Sequence, residues 1–263
     1  MNLLQVENIC YKFEIEGSVL DVKPFGNGHI NDTFLVKTSE RKYILQKLNH
    51  HIFKDVEKMN QNIIKALHHL NSKQERANDF RFRKLEVINS TKGKNYHKDD
   101  NGNFWRLMNF ISDSVSYDIA ENSEIAFEGA KALGYFQKML IDLNPDDFHP
   151  AIENFHNLEM RISAFDKALE KDSFRRKKIA ANEIDFVKSQ LEISNKLSQL
   201  INDKIIPIRV THNDTKINNV LLDKDTLKGI AVIDLDTVMP GSVLFDFIKW
   251  SRLPISIDGV EEN

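Results

Sequence analysis

Residues 208–236 of this chain read IRVTHNDTKINNVLLDKDTLKGIAVIDLD, the most specific pattern in the sequence. Short apolar runs at 208–210, 220–222 and 229–233 flank a polar loop and a charged turn. Apolar runs of this length, bounded by polar clusters, predict strand, loop, strand, turn and strand in that order. The sequence therefore places its candidate chemistry in the first loop and at the end of the last strand.

The polar residues of this stretch are of the types that phosphoryl transfer requires. The loop contains Asp214, Lys216 and Asn219, and Asp234 ends the last apolar run. Phosphoryl transfer from a nucleoside triphosphate uses one carboxylate to orient the attacking hydroxyl and further oxygen ligands to hold Mg²⁺. Mg²⁺ prefers hard oxygen donors, so Asn219 and Asp234 are suitable ligands, and Asp214 is the candidate base.

An ordinary turn is the alternative interpretation of the polar loop, because Asp and Asn readily bond their own backbone in turns. A lone H-x-D-x-x-x-x-N pattern would favour that interpretation. Here Lys216 matches a further position and an apolar strand ends at Asp234, so the combination favours a phosphotransfer site.

Residues 212–219 match H-x-D-x-K-x-x-N and resemble the catalytic loop of the protein-kinase-like superfamily. Asp234 lies where that superfamily has its metal-binding aspartate. The following residues read DLD instead of D-F-G, and no A-P-E follows. The chain therefore resembles the small-molecule branch of the superfamily, the aminoglycoside phosphotransferase and choline kinase group.

Four segments resemble the N-acetylhexosamine 1-kinases within that group: GNGHINDTF at 26–34, YILQKLN at 43–49, THNDTKINN at 211–219 and IDLDTVMPG at 233–241. The resemblance implies an α+β, two-lobed protein-kinase-like fold, with an antiparallel β N-lobe that carries one helix and a mostly helical C-lobe. It also implies ATP as co-substrate, Mg²⁺ as cofactor and an amino sugar as the small-molecule partner. The implied reaction phosphorylates the anomeric hydroxyl of an N-acetylhexosamine to give the 1-phosphate.

The resemblance assigns a role to each residue of the main motif. Asp214 is the expected base, Lys216 is expected to stabilise the charge on the transferred group, and Asn219 and Asp234 are the expected metal ligands. Three further residues are expected to support the site rather than react: His212 braces the loop, Asp236 lies next to the metal site or contacts a second ion, and Asp246 braces the catalytic loop.

The nucleotide side is expected on the strands before residue 111. Lys47 lies on the strand where the resemblance places the lysine that pairs with the α- and β-phosphates, and Glu57 is its expected ion-pair partner. Lys42 is a rival, because strand alternation places it on the opposite face from Lys47. Met108 or Phe110, in the expected hinge strand, would pack against adenine; an ordinary core strand is the alternative interpretation.

The glycine loop at 26–32 lies between two predicted strands, and its glycines would let the backbone approach a phosphate. By resemblance, the polar residues His29, Asn31 and Asp32 are expected to contact the substrate. A flexible hairpin turn is the alternative interpretation.

The composition limits the other function classes. The chain has 263 residues, a net charge of −3 and one cysteine, Cys10, which excludes an internal disulfide. The charge provides no basic field for nucleic acid, and no apolar run reaches the length of about 18 residues that a membrane span needs. No secretory signal pattern precedes the first strand, so a cytoplasmic location is expected. No feature indicates an oligomeric state.

The pattern along the chain predicts a β-rich N-lobe at residues 1–111 and a helical C-lobe at residues 112–263. Strands are predicted at 20–25, 32–37, 43–48, 82–88 and 104–111, and helices at 52–70, at 124–140 with Ser123 as N-cap, and across 154–206.

Relative to the resembled kinases the chain is expected to lack a C-terminal helical segment. Two alternatives to the sugar kinase therefore stay open. One is another small-molecule kinase, acting on choline, an aminoglycoside or homoserine. The other is a catalytically silent nucleotide-binding protein.

Overall fold

A computed structural model of the protein describes residues 3–26, 30–75 and 81–251. In the first part of the chain, the helices and strands are α1 (Leu3–Cys10), β1 (Val19–Pro24), β2 (Asp32–Thr38), β3 (Lys42–Leu48), α2 (Val56–Gln74), β4 (Val87–Ile88), β5 (His97–Lys98) and β6 (Phe104–Asn109).

These strands form one antiparallel sheet in the order β1-β2-β3-β6-β4, with β5 also paired to β6. The register between β3 and β6 places Gln46 opposite Arg106 and Lys47 opposite Trp105. Successive side chains of a strand point to opposite faces. Gln46 and Arg106 therefore share one face of the sheet, and Lys47 and Trp105 share the other.

The two faces bury different apolar clusters. The outer face, which carries Tyr43, Leu45 and Trp105, forms one cluster with Val6 and Cys10 of α1. The inner face, which carries Leu48, joins a larger cluster that includes Met59 and Ile63 of α2. The sheet is thus covered by α1 on its outer face and by α2 on its inner face.

The second part of the chain is mostly helical. Its elements are β7 (Ser114–Val115), α3 (Ser123–Leu140), α4 (Leu158–Lys171), α5 (Ala181–Ser189), α6 (Leu191–Asn202), β8 (Arg209–Thr211), β9 (Val220–Asp223), β10 (Gly229–Val232), β11 (Met239–Gly241) and α7 (Val243–Ser251). Strand β9 pairs with β10 and β7, and β8 pairs with β11. Phe136 of α3 and Leu222 of β9 belong to the same cluster as α2, so one apolar core joins the sheet to the helices.

The prediction of an α+β fold with an antiparallel sheet followed by helices is confirmed. The expectation of a single helix beside the sheet was incomplete, because α1 packs on the outer face. Strand 82–88 was predicted too long: only Val87 and Ile88 pair with β6, while the Arg83 N–H donates to the Ile230 carbonyl (2.7 Å). Helix α2 begins at Val56 rather than at residue 52, because the Asp55 side chain caps it.

The helical region also differs from its prediction in two details. Asn122, not Ser123, caps α3, and its side chain accepts a hydrogen bond from the Ile125 N–H (2.9 Å). The single long helix predicted across 154–206 is three helices, because Asp172 and Arg175 adopt left-handed backbone conformations and end α4. A charged, weakly periodic stretch does not reveal such breaks.

None of the helices in the described part of the chain combines the length and the apolar character that a membrane span requires.

Candidate active site

The loop between β8 and β9 is fixed by buried hydrogen bonds to α7. The carboxylate of Asp246 accepts from the backbone N–H groups of His212 (3.1 Å) and Asn213 (2.7 Å) and from the Gln137 side chain (3.1 Å). The Thr215 hydroxyl donates to the Asp246 carbonyl (2.7 Å). Asp246 is buried, so these contacts hold the loop backbone in one place without competition from water.

Asn213 ties the same loop to the strand that follows the second acidic segment. Its backbone is left-handed (φ 66°), and its side-chain amide donates to the carbonyls of Thr211, Thr237 and Met239, each at 3.1 Å. A Cβ atom on Gly241 would lie 2.3 Å from the Asn213 amide oxygen. Only glycine leaves room for this crossing of the chain.

His212 connects the loop to the end of β10. Its Nδ1 accepts from the Asp214 N–H (3.3 Å), so the proton lies on Nε2, which donates to the Ile233 carbonyl (2.9 Å). The ring is fully buried and both of its nitrogens are used. The His212 side chain therefore connects two loops through its hydrogen bonds and does not face solvent.

Asp214 projects from this loop between two lysines. Lys216 Nζ lies 2.8 Å from one carboxylate oxygen, and Lys249 of α7 contacts the other. Burial alone would raise the pKa of Asp214, but the hydrogen bonds from Lys216 and Lys249 outweigh it and hold the pKa below its usual value. The carboxylate is thus charged and held at both oxygens. Lys249 was missed by the sequence interpretation, because it lies beyond the motif on another element.

Asn219 and Asp234 meet at one end of the β9–β10 hairpin. Val220 pairs with Val232, and Ile233, the residue after β10, donates its N–H to the Asn219 carbonyl (2.9 Å). The Asn219 side-chain amide donates to the Asp214 carbonyl (2.8 Å), which leaves its oxygen available. The structure thus brings Asp214, Asn219 and Asp234 to the same end of one hairpin.

Asp234 adopts a left-handed conformation (φ 58°) that ends β10 and turns the chain back. Crowding by protein and repulsion by the Asp236 carboxylate raise the pKa of Asp234 to about 6. Because the side chain is nevertheless exposed to solvent, we attribute the direction of the shift chiefly to Asp236. Negative charge is therefore concentrated here, as a bound cation would require.

Asp236 is buried, and residues of the sheet side hold its carboxylate in place. Arg106 Nη2 lies 2.6 Å from one carboxylate oxygen, and the Asn31 side-chain amide donates to the other (2.7 Å). The Asn31 oxygen accepts from the Asn49 N–H (2.9 Å). Arg106 was not among the predicted site residues. Only the strand register, which pairs Arg106 with Gln46, places it at the site, and a short sequence motif does not specify a register.

The structure does not form the expected ion pair between Lys47 and Glu57, and their contact with nucleotide stays a prediction. Lys47 shares the outer face with Leu45, away from Asp236, and the residue that faces inward at this point of β3 is Gln46. Glu57 accepts a hydrogen bond from the Tyr96 hydroxyl (3.1 Å), and within the described residues it forms no ion pair with Lys47. The one-residue offset places Lys47 on the opposite face from the one predicted.

Of the three residues expected to contact the substrate, the structure describes Asn31 and Asp32. Asp32 pairs across the sheet with Lys47 and is exposed on the outer face, away from Asp236, and its substrate contact stays a prediction. His29 lies outside the described residues. Asn31 is the one that points toward the candidate site, where it contacts Asp236.

The two hinge residues lie at the other end of the inner face. Met108 pairs with Ile44 and packs against the larger core cluster. The Phe110 ring makes an edge contact with Phe25 (5.9 Å between centroids), and Lys42 Nζ lies 5.6 Å from the Phe110 centroid. A partly exposed aromatic pair thus adjoins the start of the glycine loop, and adenine packing stays a prediction.

Residues 21–259 match the model of the phosphotransferase enzyme family. The chain belongs to this family. Solved structures with a similar fold include a microcompartment-associated aminopropanol kinase (TM-score 0.67, 13% identity, covering 95% of this chain and 74% of that one). An aminoglycoside phosphotransferase from Alicyclobacillus acidocaldarius is also similar (TM-score 0.59, 12% identity, covering 92% and 69%).

A third similar structure is a spectinomycin phosphotransferase in complex with ADP and spectinomycin (TM-score 0.56, 14% identity, covering 95% and 75%). At these identities the structural matches establish the fold. The predicted two-lobed, protein-kinase-like fold of this phosphotransferase is therefore confirmed.

Proposed function

We propose that this phosphotransferase transfers the γ-phosphoryl group of ATP to the anomeric hydroxyl of an N-acetylhexosamine. The observation that carries the proposal is the meeting of Asp214, Asn219 and Asp234 at one end of the β9–β10 hairpin. A base and two oxygen ligands at one point are the groups that an in-line phosphoryl transfer requires.

In the proposed reaction Asp214 accepts a hydrogen bond from the sugar hydroxyl and then takes its proton. The sugar oxygen forms a bond to the γ-phosphorus, the bond between that phosphorus and the β,γ-bridging oxygen breaks, and ADP leaves. Lys216, about half exposed beside Asp214, is placed to stabilise the charge on the transferred group. Positioning and charge stabilisation provide most of the rate in such reactions.

Asn219 and Asp234 would hold Mg²⁺, and the residues present fit that ion. The Asn219 oxygen is available, and the raised pKa of Asp234 reflects the concentrated negative charge beside Asp236. Mg²⁺ keeps several waters and needs few protein ligands, so the lack of a cluster of three His, Cys, Asp or Glu in the described part of the chain is compatible with it. When bound, the ion would neutralise charge on the phosphates.

ATP as the phosphoryl donor is supported by the family and by a similar structure. The spectinomycin phosphotransferase was solved with ADP, the product that ATP leaves after phosphoryl transfer. In this chain, the inner face of the sheet and the partly exposed pair of Phe25 and Phe110 would receive the nucleotide.

The charges around Asp214 favour a neutral acceptor over a cationic one. Lys216 and Lys249 both contact this single carboxylate and offset its charge, so Asp214 provides little net attraction for a cationic acceptor. An ammonium group about 6 Å from either lysine would be repelled by about 3 kcal/mol at an effective dielectric constant of about 20. An N-acetyl group carries no such charge. The four sequence segments that resemble N-acetylhexosamine 1-kinases support the same acceptor.

The test is ADP release in the presence of Mg²⁺ with N-acetylglucosamine, N-acetylgalactosamine, glucose, choline and kanamycin as acceptors. We expect release with the N-acetylhexosamines only. Asp214→Asn should lower kcat by about 10²–10⁴-fold, because general base catalysis contributes that much, while MgATP binding is retained.

Two further variants complete the test. Asp225→Asn, in the exposed turn between β9 and β10, is the matched control and should keep the full rate. Asp234→Ala should weaken the binding of MgATP. Full activity in Asp214→Asn would contradict the assignment of Asp214 as the base. ADP release with only kanamycin or choline would show that the acceptor is cationic and not an N-acetylhexosamine.

A further inference from the structure

Arg106 is a buried arginine at the centre of the inner face, with 1% of its surface exposed. Its guanidinium contacts three different elements. Nη2 donates to the Gln46 side chain of β3 (2.7 Å) and lies 2.6 Å from Asp236, and Nη1 donates to the Asn60 side chain of α2 (3.4 Å). One side chain thus connects the sheet, helix α2 and the acidic loop after β10.

Burying an arginine is unfavourable unless it is paired and hydrogen-bonded. Asp236 provides the pairing charge, and Asn31 occupies its other oxygen. These contacts reach Asp236 from β6 and from the start of β2, across the boundary between the sheet and the helical part. Asp236 lies two residues after Asp234, so its position sets the turn that carries the proposed metal ligand.

A lysine could not make the same set of contacts. Lysine presents a single ammonium group, whereas the planar guanidinium donates in several fixed directions at once. On β3 the inward position is Gln46, and the lysine beside it, Lys47, lies on the outer face. The sheet therefore presents an arginine of β6 to the acidic loop, where the sequence had suggested a lysine of β3.

We propose that Arg106 is a positioning residue that holds the loop at residues 233–238 against the sheet through its ion pair with Asp236. Its effect on phosphoryl transfer rests on the function proposed above. The positioning itself does not, and it can be measured without nucleotide.

The first measurement is hydrogen exchange of the backbone amides at residues 233–238 in the nucleotide-free protein. Arg106→Lys keeps the charge but cannot contact Gln46, Asn60 and Asp236 at the same time. Exchange there should therefore rise about tenfold, as expected for the loss of one charge-assisted interaction. The matched control is Arg41→Lys, at a half-buried arginine of the β2–β3 turn that pairs with Glu16. It should leave exchange at 233–238 unchanged.

The second measurement is the affinity for MgATP by calorimetry. Arg106→Lys should raise the Kd about tenfold, and Arg41→Lys should not. The paired variant Arg106→Gln with Asp236→Asn removes both charges together. It should recover the melting temperature lost in Arg106→Gln alone, yet keep fast exchange at 233–238 and weak MgATP binding. This paired variant also provides the exchange measurement if Arg106→Lys fails to fold.

Unchanged exchange at 233–238 in Arg106→Lys would overturn the proposal. So would a paired variant that regains both the slow exchange and the MgATP affinity of the wild type, because Arg106 would then only neutralise a buried charge. Faster exchange in Arg106→Lys, combined with no MgATP binding by the wild type, would support the positioning role and refute the proposed function.

Discussion

The two sides of the candidate site are built in different ways. The loop side, residues 209–246, takes its polar groups from one nearly continuous stretch, and Asp246 fixes it with hydrogen bonds to His212 and Asn213. The sheet side takes Asn31, Gln46, Asn60 and Arg106 from separate elements, which meet only because of strand register and helix packing.

The difference shows what each kind of construction tolerates. A loop held by backbone N–H groups keeps its shape as long as the acceptor of those bonds is present. A side-chain network assembled from several elements depends on each side chain facing the right way. A register shift of one residue would move the side chains of that strand to the opposite face, and the side-chain network would be lost.

The largest effect on stability is expected from a substitution on the loop side. Asp246→Ala removes the acceptor of two buried backbone N–H groups and of the half-buried Gln137 amide. Unpaired buried donors are costly, so we expect a loss of about 3–5 kcal/mol in the free energy of unfolding. For a chain of this size this corresponds to a melting temperature lower by about 6–20 °C in a thermal scan.

Asp166→Ala, at an exposed position of α4, is the matched control and should stay within about 1 °C of the wild type. If Asp246→Ala melted together with this control, the loop would not depend on the acceptor, and the contrast between the two sides would disappear.

The same contrast explains how far the sequence predicts this molecule. The motif from His212 to Asn219 and the acidic segment at Asp234 are local patterns, and the structure brings together Asp214, Asn219 and Asp234 as the motif predicts, although their roles stay predictions. The four longer sheet strands, β1, β2, β3 and β6, were also predictable from their apolar, β-branched and aromatic residues, whereas the two-residue strands β4 and β5 were not.

The faces of those strands were not predictable in the same way. Lys47 and Asp32 were chosen by their place in a motif, but they pair with each other on the outer face. Arg106 and Lys249 reach the site through β6 and α7, so no short pattern links them to Asp214 or Asp236. The break of the predicted helix across 154–206 depends on left-handed residues such as Asp172, which composition does not reveal.

Substitutions at two neighbouring residues, Asn31 and Asp32, test which face of the sheet borders the candidate site, and their expected effect is smaller. Asn31→Ala removes a hydrogen bond to the charged Asp236 and leaves the Asn49 N–H without its acceptor. Such a loss is about 1.5–3 kcal/mol, so kcat/KM should fall at least about tenfold. Asp32→Ala, one residue further on the exposed outer face, should stay within about twofold of the wild type.

Steady-state kinetics with ATP and the best acceptor from the panel provide the measurement. A larger loss in Asp32→Ala than in Asn31→Ala would reverse the two faces and return Lys47 to the site. Equal small losses would show that Asn31 contributes little to holding Asp236.

The smallest effect concerns an exposed ion pair that links the two parts of the chain and contacts none of the candidate site residues named above. Asp142, at the end of α3, pairs with Lys73 (2.6 Å) and His69 (2.9 Å) of α2. The hydrogen bond from Lys73, with a further one from His69, lowers the pKa of Asp142 to about 2. Because the Asp142 side chain is 55% exposed, we expect Asp142→Asn to cost less than about 0.5 kcal/mol.

The pH dependence of this small cost has a definite sign. The folded-state pKa lies below the unfolded value of about 3.9, so the stabilisation is present above about pH 4 and is lost as the pH falls toward 2. Melting temperatures of Asp142→Asn and the wild type should thus differ by about 2 °C or less at pH 6 and converge on acidification. A wild-type advantage that grows with acidification would show that the folded-state pKa of Asp142 lies above its unfolded value. A large difference at pH 6 would mean that this exposed link contributes as much as the buried one at Asp236.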